Sequence, residues 1–570
     1  MAPSDRPKAR QSQLVTTYGV GSLFPAGDQS LMICGIDSWD ERFSPEIEEP
    51  RLARSLGVRT FRSPSSGRKI GDVPVVRFPE YHYCPECRRL DPFWKFDPRK
   101  MKCNDCDRDI TPSRFVACCE DGHIEDFPYF NWVHRGAEGA PGGRHQLKLT
   151  TRGASSSLAD IVISCTCGVK SYDLDGSFSY SALRQIKSCG GKRPWLPDAQ
   201  PDQCTKPLRV LQRGSSNVWF GAVRSAISIP PWSSPDARFV NKYWTVLKQF
   251  PEESLEVALP AFAASEPGVS IEGVADLIRR RHTFDDAEPP TEVDLRNDEY
   301  FALRDGSVTR GDDTFTCREV EVSPRLSGVV AQVSAVDRLR EVRALHGFTR
   351  VTASATATAT PRMAKLSSRL TDWLPATEVL GEGIFIRLDE RVVHQWESTG
   401  LASHRRGLLA DSLELRAREA GIDAMPAPTA RFLALHTLAH AVLKELSLDA
   451  GYPTGALRER VYAEEGQAGF LVYTASSDAA GSLGGLAALS SPEPLARAIE
   501  GALARAAWCS NDPVCSESVP SGSDGLNLAA CHACMLLPET SCESKNIYLD
   551  RALLIGDLEE GGGLADALLA

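Results

Sequence analysis

The stretch from residue 84 to residue 106 reads CPECRRLDPFWKFDPRKMKCNDC, and its four cysteines decide how this part of the chain folds. Two Cys-x-x-Cys pairs, Cys84/Cys87 and Cys103/Cys106, are separated by fifteen residues. Two knuckles at this spacing can place four thiolates around one tetrahedral Zn²⁺, and in small modules such a metal replaces a large hydrophobic core. The sequence therefore predicts a zinc-ribbon-like module, with disulfides or unrelated buried thiols as the alternative interpretation.

A second group of cysteines follows in the pattern C-x-C … C … C: Cys165, Cys167, Cys189 and Cys204. Four thiolates within one cysteine-rich segment suit a further closed Zn²⁺ site. The C-x-C spacing is tighter than that of a standard knuckle, so partly free cysteines are the alternative.

Between these two groups stands Cys118-Cys119-Glu-Asp-Gly-His123, and His134 follows it. Cys119, His123 and His134 could ligate a metal. Because the downstream cysteines already complete a tetrad, we expect these side chains to form a polar network with Asp126 that fixes the loop.

Five cysteines lie near the C-terminal end: Cys509, Cys515, Cys531, Cys534 and Cys542. The knuckle Cys531-His-Ala-Cys534 supplies two ligands of a third site. We predict Cys515 and Cys542 as the other two ligands, with Cys509 as the alternative. A closed tetrathiolate leaves no coordination position for water, so such a site is structural and not hydrolytic. The three cysteine sets together predict about three Zn²⁺ ions per chain.

The composition is that of an ordinary folded protein: 570 residues, 42% hydrophobic and 24% charged, with a formal net charge of −11. A chain of this length is expected to form several packed units. Free-standing DNA binders are usually basic, because phosphate neutralisation supplies most of their affinity, so an acidic chain is better suited to work beside a basic partner. The chain shows no apolar run of membrane-span length and no signal-peptide core. We therefore expect no membrane partner and a cytoplasmic location, where thiols stay reduced.

The order of motifs predicts an α+β, multidomain fold with zinc-ribbon-like modules and a C-terminal α/β domain. The expected segments are an N-terminal loop and strand segment (1–75), the first zinc module (76–115), a second cysteine-rich zinc module (116–215), a middle, partly helical region (216–345) and a C-terminal domain with the third zinc site (346–570). The clearest predicted elements are helices over 405–420 and 430–448 and strands over 384–388 and 469–474.

Two features of the C-terminal region are typical of active sites in other proteins. His436 and His440 stand four residues apart on one predicted helix, as in metalloproteases, but Thr437 replaces the Glu that serves as the base there. We therefore expect satisfied histidines packed beside the strand at 470–474. The glycine-rich run 478–486 could bind an anion at a helix N-terminus or form a tight turn. No Walker A, GxSxG or paired-carboxylate motif stands out, so we assign no catalytic residue and no enzyme activity.

Several motifs in combination resemble a known family. The segments LHTLAH (435–440), LAACHAC (528–534) and CESKN (542–546) are similar to the helicase-associated domain at the C-terminus of MrfA-type helicases, in which four cysteines hold a zinc. Upstream, GHIEDFP (122–128) and GEGIF (381–385) resemble the stand-alone DrmB family, a core component of the DISARM anti-phage systems.

The resemblance implies a non-catalytic zinc-binding subunit whose C-terminal α/β domain is helicase-associated. It implies a DrmA-type helicase as partner, which contributes ATP hydrolysis and most of the DNA grip, and it implies DNA engagement through the complex. Two other functions stay open from the residues alone. One is a metal-dependent nuclease or hydrolase that uses His436, His440 and Asp478, and the other is a general zinc-ribbon scaffold in nucleic-acid metabolism.

Overall fold

The computed structural model of the protein describes residues 7–66, 71–136, 145–153, 157–251, 254, 257, 259–260, 269–307, 314–352, 363–420, 424–474, 485–517, 525–556 and 562–569. Within these ranges no helix is both long enough and apolar enough to cross a membrane. Most of the glycine-rich run at 478–486, including Asp478, lies outside the described residues.

The α-helices are α1 (Gln13–Thr16), α2 (Pro50–Ser55), α3 (Tyr129–Val133), α4 (Pro235–Leu247), α5 (Ile271–Asp286), α6 (Glu292–Asp305), α7 (Glu390–Glu397), α8 (Gly400–Ala420), α9 (Ala430–Ala450), α10 (Gly485–Ala488), α11 (Pro492–Ala506), α12 (Ala552–Ile555) and α13 (Leu564–Leu569).

The strands are β1 (Leu23–Ala26), β2 (Gln29–Ile33), β3 (Glu46–Ile47), β4 (Thr60–Arg62), β5 (Val75–Arg77), β6 (Tyr81–Tyr83), β7 (Arg89–Pro92), β8 (Thr111–Pro112), β9 (Phe115–Cys118), β10 (Ile124–Asp126), β11 (Leu147–Thr151), β12 (Ile161–Cys165), β13 (Tyr172–Asp173), β14 (Arg209–Gln212), β15 (Phe220–Ile227), β16 (Thr316–Val320), β17 (Val330–Thr349), β18 (Trp373–Leu388), β19 (Leu457–Tyr462) and β20 (Gly469–Thr474).

The chain divides into two compact units. Unit 1 contains Met1–Ser225 and Arg343–Thr377, and unit 2 contains Ala226–Val342 and Glu378–Ala570. The mixture of helices and several sheets in separate units confirms the α+β, multidomain class. The five segments expected from the sequence stay a prediction.

Unit 1 is built from short strands joined by turns. A six-stranded sheet has the order β13-β12-β11-β7-β6-β8, and a smaller one has the order β10-β9-β14. Apolar side chains from these sheets and from helix α3 form a core that includes Phe115, Trp132 and Ile163. Cysteines are part of the same core, so metal-binding groups and hydrophobic packing occupy one volume.

Unit 2 is organised around a sheet in which β18 pairs with β20 and β20 pairs with β19, both antiparallel. Side chains alternate between the faces of a strand, and β18 uses both faces. Ile384 and Ile386 join the core that includes α9 and α11, whereas Phe385 packs with Tyr300 and Tyr462 on the other face. The strand predicted over 384–388 forms the end of β18, and the strand predicted over 469–474 coincides with β20.

Helix α9 forms the centre of the larger core. The hydroxyl of Thr429 accepts a hydrogen bond from the backbone N–H of Phe432 at 3.1 Å and caps the helix start. Gly451 ends the helix in the left-handed conformation that favours glycine. Most residues of α9 are buried, which fits a helix packed on several sides by α11, β19 and β20. The helices predicted over 430–448 and 405–420 are therefore present, as α9 and α8.

Candidate metal centres

Within the described residues, five groups of side chains each bring four possible metal ligands together. In each group the four ligand atoms lie within 4.8 Å of one another. Site 1 is Cys84, Cys87, Cys103 and Cys106; site 2 is Cys119, His123, Cys189 and Cys204; site 3 is His134, His145, Cys165 and Cys167; site 4 is Cys509, Cys515, Cys531 and Cys534; and site 5 is His436, His440, Glu459 and Cys542. All cysteines of the chain are free thiols, as metal ligation requires.

Site 1 is formed by two similar turns. The backbone N–H of Arg88 donates to the carbonyl of Cys84 at 3.0 Å, and that of Asp107 donates to the carbonyl of Cys103 at 2.9 Å. Arg88 and Asp107 both adopt positive φ, which lets each turn present its cysteine pair to the other. Cys87 Sγ and Cys103 Sγ lie 3.7 Å apart. The structure thus brings together the four cysteines that the spacing predicts.

Site 2 follows strand β9 and contains three thiols and one imidazole. Cys119 Sγ lies 3.3 Å from His123 Nδ1 and 3.9 Å from Cys204 Sγ, and Cys189 Sγ lies 3.7 Å from the same His123 nitrogen. His123 Nε2 is 3.1 Å from Asp202 Oδ2. A carboxylate on the second imidazole nitrogen orients a histidine whose first nitrogen binds a metal.

The thiol of Cys119 is suited to metal binding. Hydrogen bonds from Cys189 and from His123 lower the pKa of Cys119 to about 4. The thiolate is the form of cysteine that ligates zinc, so the environment already favours the ligand state.

Site 3 combines two histidines with the C-x-C pair. His134 Nε2 lies 3.4 Å from Cys167 Sγ, and His145 Nδ1 lies 3.4 Å from Cys165 Sγ. His134 Nδ1 lies 2.8 Å from the carbonyl of Phe130, so this nitrogen is the donor and Nε2 is free to ligate. A backbone hydrogen bond from Val169, together with the contact with the His134 side chain, lowers the pKa of Cys167 to about 6.

The structure corrects the grouping of the second cysteine set. Cys165 and Cys167 belong to site 3, and Cys189 and Cys204 belong to site 2, so these four do not form one tetrad. Strand pairing explains the grouping at site 3. β11 runs antiparallel to β12 with Leu147 opposite Cys165, so His145, which comes just before β11, lies near the end of β12.

The expected polar network with Asp126 is also wrong. Asp126 accepts hydrogen bonds from the backbone N–H groups of Glu80 and Tyr81, at 3.2 and 2.8 Å. Cys119, His123 and His134 instead join sites 2 and 3. The sequence signal for them was the Cys119-x₃-His123 spacing. His145 has no cysteine or histidine near it in the sequence, so only the pairing of β11 with β12 identifies it as a candidate ligand.

Site 4 is the second group with four thiols. Cys509 Sγ lies 3.5 Å from Cys531 Sγ, and Cys515 Sγ lies 3.7 Å from Cys534 Sγ. The carboxylate of Asp512 accepts a hydrogen bond from the backbone N–H of Cys509 at 2.9 Å and pairs with Arg551. The alternative ligand Cys509 therefore occupies the place predicted for Cys542.

Site 5 is the group that contains Cys542. Its Sγ lies 3.2 Å from His436 Nε2, and Glu459 Oε1 lies 3.5 Å from the same nitrogen. Burial, together with the neighbouring His436, lowers the pKa of His440 to about 3, so this imidazole is neutral at physiological pH. The prediction of satisfied histidines is wrong for His440, because its Nε2 is buried and has no hydrogen-bond partner among the described residues.

Two models of known protein families match parts of the chain. The model of Domain of unknown function (DUF8724) matches residues 10–220, and that of the MrfA Zn-binding domain matches residues 438–535. The first range contains sites 1 to 3, and the second contains all of site 4. The matched zinc-binding domain and the cysteine and histidine groups identify zinc as a cofactor of this protein.

One curated relative is similar over almost its whole length. The chain is 33% identical over 556 residues to the DISARM protein DrmB of Bacillus paralicheniformis (strain ATCC 9945a / NCIMB 11709 / CD-2). The match covers 93% of this chain and 97% of that protein. With this identity and coverage, the chain belongs to the DrmB family of DISARM defence proteins.

Proposed function

We propose that the chain is a non-catalytic, zinc-stabilised subunit of a cytoplasmic DISARM complex, which partners a DrmA-type helicase and engages DNA through that complex. The observation that carries the proposal is the number of protein ligands at sites 1 to 4. Each offers four, and a zinc ion held by four protein ligands has no position left for a reacting water. Such ions hold loops in place and do not hydrolyse a substrate.

In this proposal each of the first four sites holds one Zn²⁺. Sites 1 and 4 use four thiolates, site 2 uses three thiolates and one imidazole, and site 3 uses two of each. All three of these ligand sets occur in tetrahedral structural zinc sites. The ions would tie together short strands and turns, which at site 1 have only a small apolar core of their own.

The charge of the chain supports a partner that supplies most of the contact with DNA. The net charge of −11 opposes binding of a polyanion by this chain alone. A helicase subunit with a basic channel would supply the phosphate contacts, and the zinc-held loops of this chain would supply a surface for that helicase.

The direct test is copurification of a DrmA-type helicase with the tagged, full-length chain. Two adjacent cysteines of unit 1 give a matched pair of variants. Cys119 belongs to site 2, whereas Cys118 is buried and belongs to none of the five groups. We expect wild type and Cys118→Ala to retain the helicase and to contain equal zinc, and Cys119→Ala to lose one zinc and most of the retained helicase.

Two results would contradict the proposal. One is a fully zinc-loaded chain that does not retain the helicase. The other is DNA cleavage by the chain alone with Mg²⁺ or Mn²⁺ that disappears in the His436→Ala variant, since this would favour the nuclease function.

A further inference from the structure

Site 5 gathers ligands from three separate elements of unit 2. His436 and His440 stand one turn apart on α9, Glu459 lies on β19, and Cys542 follows a short turn near the C-terminal end. The two imidazole rings meet edge to face with their centres 4.6 Å apart. All four residues are at most 3% exposed, so bulk water does not reach the group.

The hydrogen bonds of the two histidines fix which nitrogen faces the centre of the group. His436 Nδ1 lies 3.3 Å from the carbonyl of Tyr548, and His440 Nδ1 lies 3.0 Å from the carbonyl of Met535. A carbonyl only accepts, so each Nδ1 carries the proton and each Nε2 keeps a free lone pair. Both lone pairs are available to one ion between the rings. Backbone carbonyls commonly orient metal-bound histidines in this way.

The other two ligands are also held in place by contacts outside the group. Glu459 Oε1 accepts from the backbone N–H of Glu543 at 3.0 Å, and Cys542 Sγ accepts from the backbone N–H of Asn546 at 3.2 Å. The side-chain amide of Asn546 exchanges two hydrogen bonds with the backbone of Leu537, each 2.8 Å long. Hydrogen bonds outside the group therefore hold the segment that carries Cys542.

A proton shared between His436 and Glu459 accounts for only part of this arrangement. It would give two groups a partner at His436 Nε2: the carboxylate of Glu459 and the thiol of Cys542. It would leave His440 Nε2 buried without a hydrogen bond among the described residues, which is unfavourable for a polar atom removed from water. One divalent cation would satisfy that nitrogen and would balance the charges of a carboxylate and a thiolate.

We propose that His436, His440, Glu459 and Cys542 hold a fifth zinc ion in a closed set of two nitrogens, one oxygen and one sulfur. Zinc accepts all three ligand types in tetrahedral geometry. The four side chains leave no position for a substrate, so the ion joins α9, β19 and the C-terminal segment mechanically. His436 and Cys542 lie outside the range matched by the MrfA Zn-binding domain, whereas that range contains every cysteine of site 4.

The first experiment needs no variant. Crystals of the wild-type, full-length chain are measured at the zinc absorption edge, and anomalous difference density is calculated. We expect a peak between His436 Nε2 and His440 Nε2 in addition to peaks at sites 1 to 4. Peaks at sites 1 to 4 with none at site 5, as expected if a water occupies that position, would overturn this inference and leave the proposed function intact. Absence of zinc from sites 1 to 4 would instead count against the proposed function.

The second experiment counts zinc in solution by native mass spectrometry. We expect five zinc ions per wild-type chain and four in each of the variants His440→Gln and Cys542→Ser. Cys317→Ser is the matched control, because Cys317 is a buried thiol of unit 2 that belongs to none of the five groups, and it should keep five. A wild-type chain that holds four zinc ions, with the same number in His440→Gln, would contradict the inference.

Discussion

At the scale of single residues, Arg350 shows how unit 1 accommodates a buried charge. Its side chain is almost completely buried, and its guanidinium donates to three carbonyls: Gly122 at 2.8 Å, Val218 at 2.5 Å and Gly21 at 2.7 Å. It also lies 4.7 Å from the ring centre of Phe348, a cation–π contact. Burial lowers the pKa of Arg350 to about 10, so it stays charged at neutral pH. One side chain thus fixes three separate segments.

Replacing this arginine tests that role. We expect Arg350→Met to destabilise unit 1 by about 3 kcal/mol, because it keeps an apolar stem but leaves buried carbonyls without donors. Urea unfolding followed by hydrogen–deuterium exchange of unit 1 peptides gives the change. Arg42→Ala is the control: the Arg42 side chain is 82% exposed and pairs with Asp40 at the surface, so its loss should change the stability of unit 1 little. Equal losses of stability in Arg350→Met and Arg42→Ala would contradict the structural role given to Arg350.

The spacing of two local knuckles predicts for site 1 the same four cysteines that the structure brings together. That these cysteines ligate a metal stays a prediction. Sites 2 and 3 also draw on histidines: His123 has a spacing signal through Cys119, whereas His145 stands alone and has none. Glu459 is harder still, because a carboxylate on a strand is ordinary until the fold places it against α9.

At the scale of elements, α9 connects the hydrophobic core to two candidate metal sites. It carries His436 and His440 of site 5, and the ammonium group of Lys444 donates to the carbonyl of Cys534 in site 4 at 2.5 Å. A shift of this helix would therefore disturb both sites. Its start depends on the hydroxyl cap of Thr429.

Removing that cap should weaken unit 2 in a defined way. We expect Thr429→Ala to cost about 1 kcal/mol, because the N–H of Phe432 loses its acceptor, and Thr429→Ser to restore most of it. Unfolding of unit 2, followed by hydrogen–deuterium exchange of α9 peptides, provides the measurement. If Thr429→Ser and Thr429→Ala lose the same amount of stability, the hydroxyl cap contributes nothing to unit 2.

The helices and strands themselves were largely predictable from the sequence, but which strands pair with each other was not. Apolar periodicity identified α8, α9 and β20, because each buries a pattern that is visible in the local sequence. The pairing of β11 with β12 depends on residues far apart in the sequence. That pairing brings His145 close to Cys165, so local patterns could not have given site 3.

At the scale of the whole molecule, the candidate metal sites are unevenly distributed. Unit 1 contains sites 1 to 3, and unit 2 contains sites 4 and 5 within or beside its large core. The core of site 1 is small: Phe96, Met101 and Ile110 are the main side chains buried with its cysteines. Relative to hydrophobic packing, we therefore expect the metal to contribute most at site 1.

Zinc removal should therefore affect the segments unequally. With a strong chelator, we expect hydrogen–deuterium exchange to rise most in residues 81–118 and 161–165, because metal binding and folding are coupled there. The packed helices α4 and α5 have their own apolar cluster and serve as the internal control, with little change expected. Added Zn²⁺, but not Mg²⁺, should reverse the effect. Equal loss of protection throughout would argue that the metal has no local structural role.

The ligands of the candidate sites are nested along the chain, and this has a consequence for synthesis on the ribosome. All of site 3 lies between Cys119 and Cys204 of site 2, which are 85 positions apart, whereas His145 and Cys165 of site 3 are only 20 apart. Closing the longer loop costs about 1 kcal/mol more in chain entropy. Site 5 encloses site 4 in the same manner. Each inner site can thus acquire its ion before the last ligand of the outer site has been translated. In stalled nascent chains of increasing length, we expect zinc at site 3 before site 2, and at site 4 before site 5.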